Sequence, residues 1–223
     1  MPKPTFANLP DDKRERIFRA AIEEFVAHPY DSASLTRIAE RADISKGSLY
    51  QYFDDKLDLF EATGGWAGAK KVAYVTPPEG TGGLFDQLRA MYVTGVDFMR
   101  DEPKLAQFFA RHMEPSSDER FERLRQLRKS QSVQFFKGLI KAAMHRGELR
   151  PLLDVELSAH IFHNLMSDGL GDTLLHRTGL SAKDIAQDPC LALRIRREDL
   201  MDVVDETLDI LKRGFAVAAA DTE

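Results

Sequence analysis

The 223-residue chain has a single cysteine, Cys190. No intrachain disulfide can form, and a zinc cluster built on cysteines is excluded. The shortage suits a reducing compartment. No apolar run approaches the roughly 18 residues that a membrane span needs. Residues 1–10 lack the apolar stretch of a secretory leader. A cytoplasmic location without membrane contact is therefore expected. An excess of basic charge is also missing: 31 Lys and Arg face 36 Asp and Glu, a formal charge of −5. Bulk attraction for nucleic acid is absent, so any such contact needs a local, shaped surface. The sequence holds no GxGxxG, GxSxG, HExxH or P-loop pattern, which argues against an enzyme. No cofactor and no metal are expected. His160 and His163 stand at i, i+3 spacing, but a third ligand is lacking, so satisfied or exposed imidazoles are favoured over a metal pair.

Apolar residues make up 43% of the chain and charged residues 30%, enough for a sizeable core and against intrinsic disorder. The apolar period is close to 3.6 throughout. Phe18, Ala21, Ile22 and Phe25 line one face of a first helix, with Asp12 and Glu15 at capping-box spacing and Pro29 beyond its end. Leu35, Ile38, Ala39 and Ala42 repeat the spacing in a second helix, with Ser34 as N-cap. A third helix opens at Ser45, where Ile44 and Leu49 take hydrophobic-staple positions. Asp54 or Asp55 caps a fourth. Residues 76–83, rich in proline and glycine, break the chain. Further helices follow from Leu84, from Lys104, from about Asp118 to Arg146, from Asp154, and across Leu200–Leu211, while 181–197 is ambiguous. The expected fold class is all-α, with nine or ten helices.

The second and third helices flank a tight turn, Ala42-Asp43-Ile44-Ser45, and make a helix-turn-helix candidate. That motif presents the N-terminal end of its second helix to base edges. Here this end reads Ser45-Lys46-Gly47-Ser48. Gly47 costs the helix about 1 kcal/mol against Ala, a cost that makes sense where a groove wall must come close. Backbone N–H groups at a helix N-terminus suit phosphate, and Tyr50 and Tyr52 carry phenolic donors for it. A short amphipathic helix pair alone is weak evidence, and residues 1–60 hold nine Lys and Arg against eleven Asp and Glu. The coincidence of staple, cap, glycine and tyrosine pair in one window still favours DNA.

Over Ser34-Leu35-Thr36-Arg37-Ile38-Ala39, then Ala42 to Phe53, then Lys56 and Leu57, the sequence resembles the TetR (tetracycline-repressor-like) family of bacterial regulators. The resemblance covers about residues 10–60. It implies an N-terminal three-helix helix-turn-helix DNA-binding domain, here 1–57, and a larger helical ligand-binding and dimerisation domain, 58–223. Asp43 stands where the family carries glycine, and Asp tolerates the left-handed region better than most residues. The resemblance implies that Lys46, Gly47, Ser48 and Gln51 face bases, and that Ser34, Thr36, Arg37, Ser45, Tyr50, Tyr52 and Lys56 position the phosphate backbone. Either tyrosine is alternatively core. Leu35, Ile38, Ala39, Ile44 and Leu49 are read as core.

The pocket implied by the resemblance draws on Trp66, Phe98, Phe108, Phe109, His112, Met113, Phe135, Phe136, His163 and Met166. Taken singly, each aromatic or Met at helical spacing is more often solid core. Gly64, Gly65 and Gly68 mark either a bend or a packing contact in the fourth helix. Residues 120–150 carry nine Lys and Arg against two Glu, either an attractant for an anion or, more often, a solvated face. Apolar stripes on the helices near 155–177 (Phe162, Leu165, Met166, Gly169, Thr173) and 198–216 (Leu200, Val203, Val204, Thr207, Leu211) suggest a homodimer seam. The alternative is packing within one subunit. The expected function is a dimeric repressor, released from a pseudo-palindromic double-stranded DNA operator by an unknown small-molecule effector. The other class considered is a helical small-molecule-binding protein or enzyme without a DNA role.

Overall fold

The computed structural model describes residues 2–77, 81–111, 116–151, 154–181 and 195–217. Among these the only β pairing is an isolated antiparallel bridge between Leu149 and Ala216, and the chain is all-α. Two compact units emerge, Met1–Tyr74 with Phe98–Gln126, and Val75–Asp97 with Leu127–Glu223.

The first unit contains α1 (Pro4–Ala7), α2 (Asp11–Ala27), a 3-10 turn (Tyr30–Ser32), α3 (Leu35–Arg41), α4 (Lys46–Tyr52) and most of α5 (Lys56–Val75). The end of α6 (Leu84–Asp101), α7 (Pro103–Arg111) and the start of α8 (Glu119–His145) complete it. Its core is aromatic. Phe25 and Phe60 meet edge-on with centroids 4.9 Å apart, Phe108 lies 5.4 Å from Phe60, and Tyr30 stacks on Phe121 at 4.5 Å. Such pairs add to the area they bury. The helix α2 starts without the expected capping box. Pro10 occupies the N-cap position with no side-chain cap, Asp11 instead pairs with Arg14, and Glu15 turns to Arg19 and Lys70. The four-residue α1 was not foreseen.

The second unit contains the rest of α6 and α8, then α9 (Val155–Asn164), a π-helical turn (Leu165–Gly169), α10 (Leu170–Thr178) and α11 (Arg197–Phe215). Its core is mostly aliphatic and includes Leu84, Leu88, Ile140, Val203, Val204 and Leu211 around Phe136 and Phe162. Asp154 caps α9 by accepting the Glu156 and Leu157 N–H groups. The π turn widens the i→i−4 ladder. The Met166 carbonyl there accepts the Tyr92 hydroxyl, and burial holds the Tyr92 phenol above its ordinary pKa. The turn carries one residue more than an α turn. Thr173, expected on the core face, is therefore exposed, and Leu174 packs on the core in its place. Cys190 and residues 182–194 lie outside the described residues.

For the stripes weighed for a dimer seam, the structure shows packing within the chain. Val203, Val204 and Leu211 are buried within the chain's own core, as are Phe162 and Met166. The large apolar side chains that α9 and α11 leave exposed are Leu157, at 60%, and Ile210, at 68%.

Candidate nucleic-acid interface

The seven-residue helices α3 and α4 and the start of the longer α5 build the interface, and each is started by its own sequence. Ser34 accepts the Arg37 N–H and opens α3. Ser45 accepts the Ser48 N–H at 3.0 Å and opens α4. Asp55 accepts the Asp58 N–H at 2.9 Å, while Asp58 accepts the Asp54 N–H at 3.1 Å, a reciprocal cap for α5. Between α3 and α4 the chain reverses at Asp43, whose φ of 54° is the one positive value at a non-glycine residue among those described. Asp holds that turn at a modest cost.

The two faces of α4 differ sharply. Leu49 and Tyr52 are buried, whereas Lys46, Gly47, Tyr50 and Gln51 are exposed and Ser48 is half-buried. Exposure separates the two tyrosines: Tyr50 is 48% exposed and Tyr52 only 7%. The Tyr52 ring packs beside Phe6 at 5.8 Å. Of the alternatives weighed for the pair, the core placement applies to Tyr52. Thr36 and Ser45 are exposed beside α4, with Ser34 half-buried. Leu35 and Ile44, read as core, are only half-buried.

Two of the expected phosphate cations are engaged inside the protein. Arg37 forks onto Glu24, with Nε at 2.9 Å and an Nη at 2.5 Å from Oε1. Glu24 is fully buried at 0%, and it also accepts the Ser34 N–H at 2.9 Å. Arg41 approaches it at 3.5 Å. Burial acts to raise the Glu24 carboxyl, but the Arg37 fork and the Ser34 N–H outweigh it and leave its pKa lowered. Lys56 donates to the Tyr30 and Asp31 carbonyls at 2.7 and 3.1 Å and reaches the Ala33 carbonyl at 3.4 Å. Its amine lies 4.6 Å from the Tyr30 ring centroid. Burial lowers its pKa, against the pull of Asp31 and Asp118.

A polar cluster in the same unit ties the 3-10 turn to the start of α8. Asp31 accepts the Ser116 hydroxyl at 2.5 Å and the Ser117 N–H at 3.0 Å, which lower its pKa. Arg120 reaches Asp55 at 2.6 Å. Sequence reasoning missed Glu24 and this cluster. Glu24 had a signal, since it stands seven residues after Ile17, on the buried side of α2.

The residues expected around a pocket fall in both units. In the first unit Phe98 and Phe108 are buried and Phe109 half-buried. Trp66 stacks on Phe18 at 5.4 Å, with Lys70 at 4.8 Å and Arg19 at 5.8 Å from its ring. In the second unit Phe136 and Met166 belong to the core, while Phe135 is exposed. His163 is buried and its Nδ1 lies 3.0 Å from the Ser132 hydroxyl, whereas His160 is exposed near Glu156. His112 and Met113 lie outside the described residues. An open cleft of about 420 Å³ on α2 is lined by Asp12, Glu15, Arg16, Arg19, Glu23 and Arg41, none of them expected pocket residues. A Cβ added at Gly65 or Gly68 would meet no neighbouring atom within 4 Å, so close packing there does not demand glycine. Part of the basic run is paired: Arg125 meets Glu122, Lys137 meets Glu156 and Arg146 meets Glu148.

Comparison with known proteins agrees with this geometry. Residues 17–63 match the model of bacterial regulatory proteins of the tetR family, and residues 83–216 match that of the tetracyclin repressor-like C-terminal domain. A TetR family transcriptional regulator from Chloroflexus aurantiacus J-10-FL superposes with a TM-score of 0.66 and 32% identity, over 98% of this chain and 100% of that one. The HTH-type transcriptional repressor BepR of Brucella suis biovar 1 (strain 1330) is 27% identical over 178 residues, 73% of this chain and 81% of its own. The HTH-type transcriptional activator FasR of Mycolicibacterium smegmatis is 44% identical over 52 residues, 23% of this chain and 24% of its own.

Proposed function

Since the chain belongs to the tetR family of transcriptional regulators, we propose that it acts as a homodimeric repressor that leaves a pseudo-palindromic operator when a small-molecule effector binds. The observation that carries the reading is the exposed edge of α4, where Lys46, Gly47 and Gln51 face outward while Leu49 and Tyr52 anchor the helix. Gln51 suits a bidentate pair with adenine and Gly47 admits a thymine methyl. Thr36, Ser45 and Tyr50 supply neutral donors to phosphate. Arg37 and Lys56 contribute by holding α3 and the start of α5 in place, given their internal partners.

Residues 1–57 serve as the DNA-binding domain, and 58–223 as receptor and dimerisation domain. The helices near 155–177 and 198–216 form the seam, with Leu157 and Ile210 as the side chains that gain cover. The effector site draws on aromatic and Met residues of that receptor domain. The protein is no enzyme. No described helix is long and apolar enough to cross a membrane, and the regulator works in the cytoplasm.

The test is a gel shift with DNA flanking the protein's own gene, combined with light scattering. A retarded band, a dimer mass and half-sites about 34–36 Å apart are expected. Gln51→Ala should relax preference at one base position by about 1–3 kcal/mol. No retardation at any concentration that leaves the protein dimeric and folded would refute the reading.

A further inference from the structure

We infer that residues 3–6 form a clamp on α4, with Lys3 and Thr5 holding its last carbonyls and Phe6 its buried side, so that this segment sets the orientation in which the helix meets DNA. The inference rests on the DNA-binding reading above. It also reaches outside the stretch matched by the N-terminal family model, which begins at residue 17.

The argument starts from the length of α4. It has seven residues, fewer than an isolated helix needs to persist in water. Its last carbonyls have no acceptor role inside the helix. Three consecutive ones find donors in the segment before α2. The Tyr50 carbonyl accepts the Lys3 ammonium at 2.9 Å. The Gln51 carbonyl accepts the Thr5 hydroxyl at 2.6 Å. The Tyr52 carbonyl accepts the Lys3 backbone N–H at 2.9 Å. The Lys3 ammonium also pairs with Asp54 at 2.9 Å. A cation at a helix C-terminus complements the helix dipole.

Packing completes the hold. Phe6 is buried, with ring centroids 5.1 Å from Phe18, 5.8 Å from Tyr52 and 4.8 Å from Phe53. Phe18 belongs to α2, so Phe6 wedges α4 against the longest helix that lies wholly within this unit. Thr5 distinguishes a clamp from simple core filling. Its side chain is exposed and adds little buried apolar area, yet its hydroxyl bonds the backbone of Gln51, the residue proposed to read a base.

The experiment uses the full chain and a duplex that the wild type selects from a randomised pool, with a scrambled duplex beside it. Phe6→Ala risks unfolding the unit, so the decisive variant is Thr5→Val with Lys3→Met. Amide exchange across residues 46–53, followed by mass spectrometry, should speed up about tenfold, as the loss of one or two hydrogen bonds implies. Affinity for the selected duplex should fall roughly fivefold while affinity for the scrambled duplex holds. Thr5→Ser should behave as wild type. Unchanged exchange, or equal losses on both duplexes, would overturn the clamp. A wild type that selects no duplex would refute the DNA-binding reading instead, and the exchange measurement would still decide whether the clamp exists.

Discussion

The two units solve the same packing problem with different materials. The first holds seven-residue helices, α3 and α4, in a core of phenylalanines and tyrosines, and it buries Glu24 fully. The second has α11, 19 residues long, and much of α8, and it closes around Val, Leu and Ile. Long helices carry enough turns for an apolar stripe to fix them. Short helices do not, and here each is secured by an individual polar tie: Ser34 and Ser45 at the starts, Glu24 through Arg37 between α2 and α3. A unit whose task is to present a small helix to a partner therefore depends on directional contacts. Longer helices, in either unit, depend more on buried area.

The contrast is sharpest where a charge enters the aliphatic core. Val204→Asp should cost the second unit about 4 kcal/mol or more, the range reached by unpaired buried charges. Far-UV melting would show it, with Trp66 emission as a reporter in the first unit. A lower mass in light scattering with unchanged melting would instead return Val204 to an intersubunit seam. Next comes the directional tie. Glu24→Ala should cost roughly 2–3 kcal/mol, less than a fully enclosed pair because Arg37 is partly exposed. The Glu24 carboxyl titrates below its ordinary value of 4.5. Its contribution is therefore complete above that pH and is lost as pH falls through the native pKa. The gap in melting temperature between wild type and Glu24→Gln should shrink on going from about pH 6 to about pH 3; a constant gap would mean the tie is not ionic. The smallest effect is expected at a single cap. Ser45→Ala should lose about 1 kcal/mol, visible as faster exchange in α4. A loss spread evenly over α2 and α5 would show that the short helices are not secured one by one.

Much of this arrangement is legible in the residues. Periodicity locates the helices, and local chemistry locates starts at Ser34, Ser45 and Asp154 and narrows the fourth helix to Asp54 or Asp55, because a cap lies within three residues of the group it serves. The turn at Asp43 was legible for the same reason. Contacts between distant residues were not. Lys56 and Arg37 read as free cations for phosphate, since nothing local shows that Tyr30, Asp31 and Glu24 will meet them. Tyr50 and Tyr52 were indistinguishable until Phe6, more than 40 positions earlier, was seen to cover one. The stripe of Val203, Val204 and Leu211 marked a buried face correctly but could not say whether the cover came from the same chain. Glu24 is the instructive miss: a charge on an apolar face looks like an exception until its partner thirteen residues later is known.

The wide turn at Leu165–Gly169 has a consequence for which changes the second unit tolerates. Each residue of an α-helix advances the chain by about 100°, and the additional residue in this turn sets α10 back by about that angle. Leu174 faces the core and Arg177 reaches Glu206 only with that phase. Removing one residue here would let the turn close as an ordinary α turn with the phase of α10 kept, whereas closing the turn at its full length would rotate all of α10 by about a quarter-turn. Leu174 would then swing toward solvent, Thr173 toward the core, and the Arg177 pair would part. Over these five positions the fold depends on the wide geometry for as long as the extra residue is present, and it tolerates losing that residue better than losing the geometry.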